Sequence, residues 1–89
     1  MILIGTNDLC MEMGIPGDYS NLKVKNAYSK VIEACKKYEK PPGMGGVYNE
    51  ELMSEYVNMG MKFILSGSDL SFMMQFALQR SNKLRSFLK

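Results

Sequence analysis

Three short apolar runs recur along this chain, each followed by polar or glycine-rich residues and then by a helical pattern. They are Met1-Ile2-Leu3-Ile4-Gly5, Met44-Gly45-Gly46-Val47-Tyr48 and Met61-Lys62-Phe63-Ile64-Leu65. The order strand, loop, helix, strand, helix, strand, helix points to parallel strands joined by right-handed crossovers. The first run does not alternate with polar residues, as expected of a strand buried on both faces. It begins at the first residue, so an upstream portion is expected. Helices on one side of three strands leave the other side bare. A flavodoxin-like sheet covers both sides but needs about five strands. A (β/α)8 barrel solves the problem by closing on itself, at about 250 residues. A chain of 89 residues is roughly a third of that, a single partial domain over 1–89.

The connecting segments carry their own signals. Residues 6–21 read as a long loop, with polar Thr6-Asn7-Asp8 and the turn formers Gly14, Pro16, Gly17 and Asp18. Ordered loops of this length are often functional. Ser20 or Asn21 then caps a helix whose face is Val24, Ala27, Tyr28, Val31, Ile32, Cys35 and Tyr38. Its lysines mostly lie on the other side and read as a solvated face rather than an anion site. Lys40-Pro41-Pro42-Gly43 ends it. The pair Gly45-Gly46 marks either a close approach of the backbone to a ligand or neighbour, or a flexible turn. Asn49 caps a short helix with Glu50 and Glu51 in its first turn, placed for the dipole rather than for paired-carboxylate catalysis, and Gly60 closes it. Ser68 or Asp69 caps the last helix. Its stripe is Leu70, Met73, Met74, Ala77, Ser81, Leu84 and Leu88, with Phe72, Phe76 and Phe87 on a second face suited to another subunit.

Composition excludes several function classes. The chain has no histidine, so no histidine base or histidine metal ligand is available within it. A net charge of +2 gives no reason to expect nucleic acid or a membrane surface as partner. No apolar run reaches the ~20 residues of a membrane span. Cys10 and Cys35 make no disulfide framework, so a cytoplasmic location is expected. The nine methionines read as core filler.

In parallel α/β folds, ligands bind beyond the carboxyl ends of the strands. Three clusters fall there: Gly5-Thr6-Asn7-Asp8, Gly45-Gly46 and Ser66-Gly67-Ser68-Asp69. Asp8 is the best single candidate for a ligand of a hard cation, with an Asx-turn role as the competing account.

Four motifs, Gly5-Thr6-Asn7-Asp8-Leu9, Met13-Gly14-Ile15-Pro16-Gly17, Lys40-Pro41-Pro42-Gly43 and Gly67-Ser68-Asp69-Leu70, occur in consistent order over essentially the whole chain. In them the chain resembles the C-terminal third of the HpcH/HpaI aldolase / citrate lyase family, nearest its class II pyruvate-dependent aldolases. The resemblance implies three consecutive βα units of a TIM barrel. It also implies an enzyme that cleaves 2-keto-4-hydroxy acids to pyruvate and an aldehyde with a divalent cofactor, Mg²⁺, Mn²⁺ or Co²⁺. By the same resemblance Asp8 matches a metal-binding carboxylate. Asn7 and Asp8 match the place where backbone N–H groups hold the substrate carboxylate, and Gly45 and Ser68 match positions near the aldehyde pocket. Thr6 stands where the family usually has proline. The family's base histidine, its partner aspartate, its arginine and its first metal carboxylate have no counterpart here, so no catalytic residue is expected in this chain. The family's hexamers imply a homo-oligomer. Two functions follow as expectations: part of a metal-dependent aldolase that is inactive alone, or a non-catalytic remnant that associates through exposed surface.

Overall fold

A computed structural model describes residues 1–88. The elements are β1 (Ile2–Gly5), α1 (Thr6–Glu12), α2 (Leu22–Lys37), β2 (Pro42–Gly45), α3 (Glu50–Met59), β3 (Phe63–Ile64) and α4 (Asp69–Arg85). The strands form one parallel sheet in the order β1-β2-β3. Ile2 pairs with Pro42 and Gly5 with Gly45, while Gly43 pairs with Phe63 and Met44 with Ile64. The expected alternation is therefore present, with β2 in the centre.

The two sheet faces differ. Ile4, Met44 and Ile64 form one row across the strands and pack into the core, which centres on Cys10, Val24, Tyr28, Met44, Val47, Tyr56 and Met61. Side chains alternate along a strand, so Leu3, Gly43 and Phe63 form a row on the opposite face. There Leu3 and Phe63 lean over Gly43, and a Cβ built at Gly43 would sit 3.1 Å from Leu3 Cδ1 and 3.2 Å from Phe63 Cβ. Among the described residues no helix covers this face, and Leu3 stays 45% and Phe63 41% exposed. The first run is thus an edge strand with one open face rather than a strand buried on both. In a closed (β/α)8 barrel the same face is the interior.

Residues 6–21 are not all loop. Thr6–Glu12 is helical, with Thr6 and Cys10 buried at i and i+4. Gly14 closes α1 at φ +74°, and the end carries the two reciprocal bonds of a left-handed cap: Ile15 N–H to Cys10 O at 2.9 Å and Gly14 N–H to Met11 O at 3.1 Å. The same pair ends α2, with Lys40 N–H to Cys35 O at 2.8 Å and Glu39 N–H to Lys36 O at 3.4 Å. Here the left-handed position is Glu39, at φ 55°. A side chain in that conformation costs about 1 kcal/mol relative to glycine. Glu39→Gly is expected to raise stability by about that amount, read as a higher urea midpoint at unchanged slope. An unchanged or lower midpoint contradicts it.

Strand boundaries also move. The Pro-Pro-Gly stretch that ends α2 supplies the start of β2, from Pro42 to Gly45, instead of a strand over 44–48. Proline is tolerated at a first strand position, where its missing N–H is not needed, and its carbonyl accepts from Lys62 N–H at 2.9 Å. β3 shortens to Phe63–Ile64.

The last helix departs most from expectation. No residue of α4 is buried, so the Leu70–Met74 stripe does not meet the core, and the Phe72–Phe76 side assigned to another subunit is exposed as well. It follows the edge strand β3, beyond which no further strand or helix among the described residues presents a surface. The radius of gyration is 16.6 Å, against about 12 Å for a compact chain of this length.

Candidate functional site

The parallel register brings the carboxyl ends of the three strands side by side. Gly5 pairs with Gly45, and a Cβ built at Gly45 would lie 3.1 Å from Leu65 Cδ1. Beyond that row the segments after β1 and β2 touch. A Cβ at Gly46 would lie 3.5 Å from the Asn7 backbone nitrogen and 3.8 Å from Asn7 Nδ2. Gly46 has φ +88°, a conformation that favours glycine, and no side chain stands between its backbone and Asn7.

Asn7 is held on its other side. Its Oδ1 accepts a hydrogen bond from Tyr19 Oη–H. The carboxamide oxygen is engaged, and the Nδ2 hydrogens remain as donors near Gly46. Asp8 is exposed in the first turn of α1, with its Oδ2 3.5 Å from where a Gly5 Cβ would stand. No side-chain cap satisfies the start of α1, whose N-cap is Gly5.

Behind these residues lies a group of buried tyrosines. Thr6 Oγ1 and Tyr28 Oη share a 2.5 Å hydrogen bond, which explains how a fully buried threonine is tolerated. Tyr56 Oη–H donates to the Tyr19 carbonyl at 2.5 Å. The Tyr28 and Tyr56 rings pack at 4.4 Å between centroids with a 56° tilt. Burial pushes the Tyr56 phenol up to about 12, with the neighbouring Tyr28 adding to the effect. Burial likewise raises Tyr28 and the Cys10 thiol, Cys10 further by the charge of Asp18. All three stay neutral near pH 7 and act as packing and hydrogen-bonding groups.

Ser68 occupies a different place. Its Oγ accepts from Ser71 N–H at 3.1 Å while Ser71 Oγ accepts from Ser68 N–H at 2.9 Å, a reciprocal cap on α4. Ser68 lines an open cleft of about 580 Å³ with Tyr48, Glu50, Met53, Gly67 and Phe72. Asn7, Asp8 and Gly45 do not line it. A Cβ at Gly67 would stand 2.6 Å from the tip of the exposed Phe72 ring, so a side chain there would push that ring aside.

Of the four residues singled out by sequence, the strand ends thus group Asn7 and Asp8 with Gly45 along one sheet edge, and Ser68 faces the adjoining cleft. Sequence reasoning missed Tyr19, Tyr28 and Tyr56 as polar groups. Tyr28 and Tyr56 stand at core positions of their helices, and nothing local marks their hydroxyls as partners of residues 22 and 37 positions away. Among the described residues no three His, Cys, Asp or Glu side chains converge as a metal site. Asp8 alone is far short of the six or so oxygens a hard divalent cation takes. No helix among these residues is long and apolar enough to cross a membrane.

No family model matches the chain. A 4-hydroxy-4-methyl-2-oxoglutarate aldolase of Chaetomium globosum is 31% identical over 71 residues, 78% of this chain and 26% of that protein. Another of the same name from Hapsidospora irregularis is 27% identical over 88 residues, 97% of this chain and 33% of that protein. Two solved structures share the fold. One is a HpcH/HpaI aldolase/citrate lyase family protein from Burkholderia cenocepacia, with TM-score 0.79 and 23% identity over 93% of this chain and 32% of that one. The other is a HpcH/HpaI aldolase from Desulfitobacterium hafniense, with TM-score 0.74 and 22% identity over the same shares. The chain therefore spans about a quarter to a third of the relatives it matches.

Proposed function

We propose that this chain, similar in sequence to two 4-hydroxy-4-methyl-2-oxoglutarate aldolases and in fold to HpcH/HpaI aldolases, forms one side of the active site of such an aldolase. The reaction is retro-aldol cleavage of a 2-keto-4-hydroxy acid between C3 and C4, giving pyruvate and a second carbonyl compound. For the substrate named in the two fungal relatives, atom balance makes the second product pyruvate as well.

The observation that carries this reading is the strand-end arrangement of Asn7, Asp8 and Gly46 in a chain with these relatives. With its oxygen held by Tyr19, Asn7 offers N–H donors to a carboxylate-bearing substrate. Gly46 places no side chain between the sheet edge and the Asn7 amide. Asp8 supplies a single hard oxygen ligand. A divalent cation in this reaction stabilises the enolate by Lewis acidity, and it needs further ligands that these residues do not place beside Asp8. The general base likewise is not a histidine of this chain, which has none. We therefore infer that the 89 residues bind and orient but do not turn over substrate by themselves.

The test is a chimera in which this chain replaces its matching stretch of the Chaetomium globosum aldolase. The chimera is expected to release pyruvate in a coupled assay with Mg²⁺ or Mn²⁺, and the purified 89-residue chain is expected to release none. A folded chimera without activity, or turnover by the isolated chain free of contaminating aldolase, overturns the reading.

A further inference from the structure

The tyrosines behind the strand ends do more than fill the core. Tyr28 and Tyr56 have rings in tilted contact but send their hydroxyls to different places: Tyr28 to Thr6, Tyr56 to the Tyr19 carbonyl. Tyr19 lies between α1 and α2, in a stretch with turn bonds from Asp18 N–H to Ile15 O and Asn21 N–H to Asp18 O. Those bonds shape the stretch locally. The bond from Tyr56 ties it to α3, 37 residues further on. Tyr19 in turn donates to Asn7 Oδ1. A continuous path thus runs from α3 through the Tyr19 backbone and side chain to the Asn7 carboxamide.

We propose that Tyr56 is a positioning residue which, by holding the Tyr19 carbonyl, sets the Tyr19 hydroxyl against Asn7 and so fixes which end of the Asn7 carboxamide turns toward the strand end at Gly46. The chemistry is directional. An asparagine carboxamide free to rotate offers an acceptor or donors with little preference. With a hydroxyl donating to Oδ1, the oxygen is turned toward Tyr19 and the Nδ2 donors are turned toward Gly46. The strand-end site is thereby selected for an anionic oxygen, such as a carboxylate, over a donor-bearing ligand. The inference rests on the reading of Asn7 as a substrate-facing residue, but the arrangement itself is a property of this chain.

It is tested on the 89-residue chain by NMR of the Asn7 side-chain amide, with no substrate present. Tyr19→Phe removes the hydroxyl that meets Asn7, and both Asn7 Nδ2 proton resonances are expected to shift. Tyr56→Phe removes the hold on the Tyr19 carbonyl, and the same two resonances are expected to move in the same direction. Tyr28→Phe removes an equally buried hydroxyl, and Asn7 is expected to stay in place while Thr6 moves. Asn7 resonances unchanged in Tyr19→Phe, or displaced as much by Tyr28→Phe as by Tyr56→Phe, overturn the proposal. Tyr19 is only half-buried, so its variant reports even where loss of the Tyr56 hydroxyl unfolds the chain. Because the readout needs no turnover, its failure is separate from failure of the aldolase reading, which the chimera decides.

Discussion

Tyr28→Ala is expected to cost about 4–6 kcal/mol and to leave the chain largely unfolded at room temperature. The Tyr28 side chain is fully buried and belongs to the core with Cys10, Val24, Met44, Val47, Tyr56 and Met61. Removing a large aromatic from such a place costs about 3–5 kcal/mol from lost transfer and the cavity left behind. The adjoining Tyr56 ring loses its partner, and the buried Thr6 hydroxyl loses its hydrogen bond, worth about 1 kcal/mol more. Chains of this size are stable by about 4–13 kcal/mol. This one is expected toward the lower end, because no residue of α4 is buried. The check is urea unfolding followed by far-UV circular dichroism, since the chain has no tryptophan. Tyr28→Phe keeps the ring and is expected to lose only about 1–2 kcal/mol. A Tyr28→Ala loss below about 1 kcal/mol would show that the core is not built around this ring.

Asp8→Ala in the active chimera is expected to lower turnover by about 100-fold or more while leaving the unfolding midpoint nearly unchanged. The second half follows from the structure. Asp8 is exposed, and no salt bridge holds it among the described residues, where the ion pair found is Lys25–Glu55. Its loss removes little packing, and surface changes of this kind stay within about 0.5 kcal/mol. The first half follows from the proposed role. Groups that merely orient metal ligands cost about 10–100-fold when removed, so loss of a ligand costs more. Asp8→Asn keeps the shape and removes the charge, and is expected to fall as far. Steady-state kinetics over a range of Mg²⁺ or Mn²⁺ separates weakened metal affinity from lost turnover. Activity within about threefold of the parent chimera would remove Asp8 from the site.

The order of elements was legible because each type leaves a strong local mark. Apolar runs mark the strands, Asn21 and Asn49 accept from Lys23 and Leu52 N–H as caps, and Gly60 ends α3. The α1 helix was not legible. Seven residues give too few turns for a periodic pattern, and its polar start reads as loop. Thr6 is the sharper case. A buried threonine becomes intelligible only with Tyr28, 22 residues on. Burial of β1 and α4 was misjudged for one reason. Apolar pattern reports which face seeks cover, and cover is supplied by other elements, which these residues do not provide. At the site, sequence and resemblance singled out Asn7 and Asp8, but not that Asn7 is held from behind by Tyr19, because a loop-to-helix contact across the fold leaves no trace in local spacing.

The exposure of α4 divides the chain into two thermodynamic parts. Isolated helices of 17 residues are marginal in water, and α4 has its serine cap and dipole-favourable Lys83 and Arg85 but no tertiary burial to hold it. Its helix–coil equilibrium is therefore uncoupled from the cooperative unit that ends near Leu65, and its amide protons exchange through local fraying rather than global opening. The denaturant slope depends on newly exposed surface. For this chain it reports a shorter protein than its 89 residues imply.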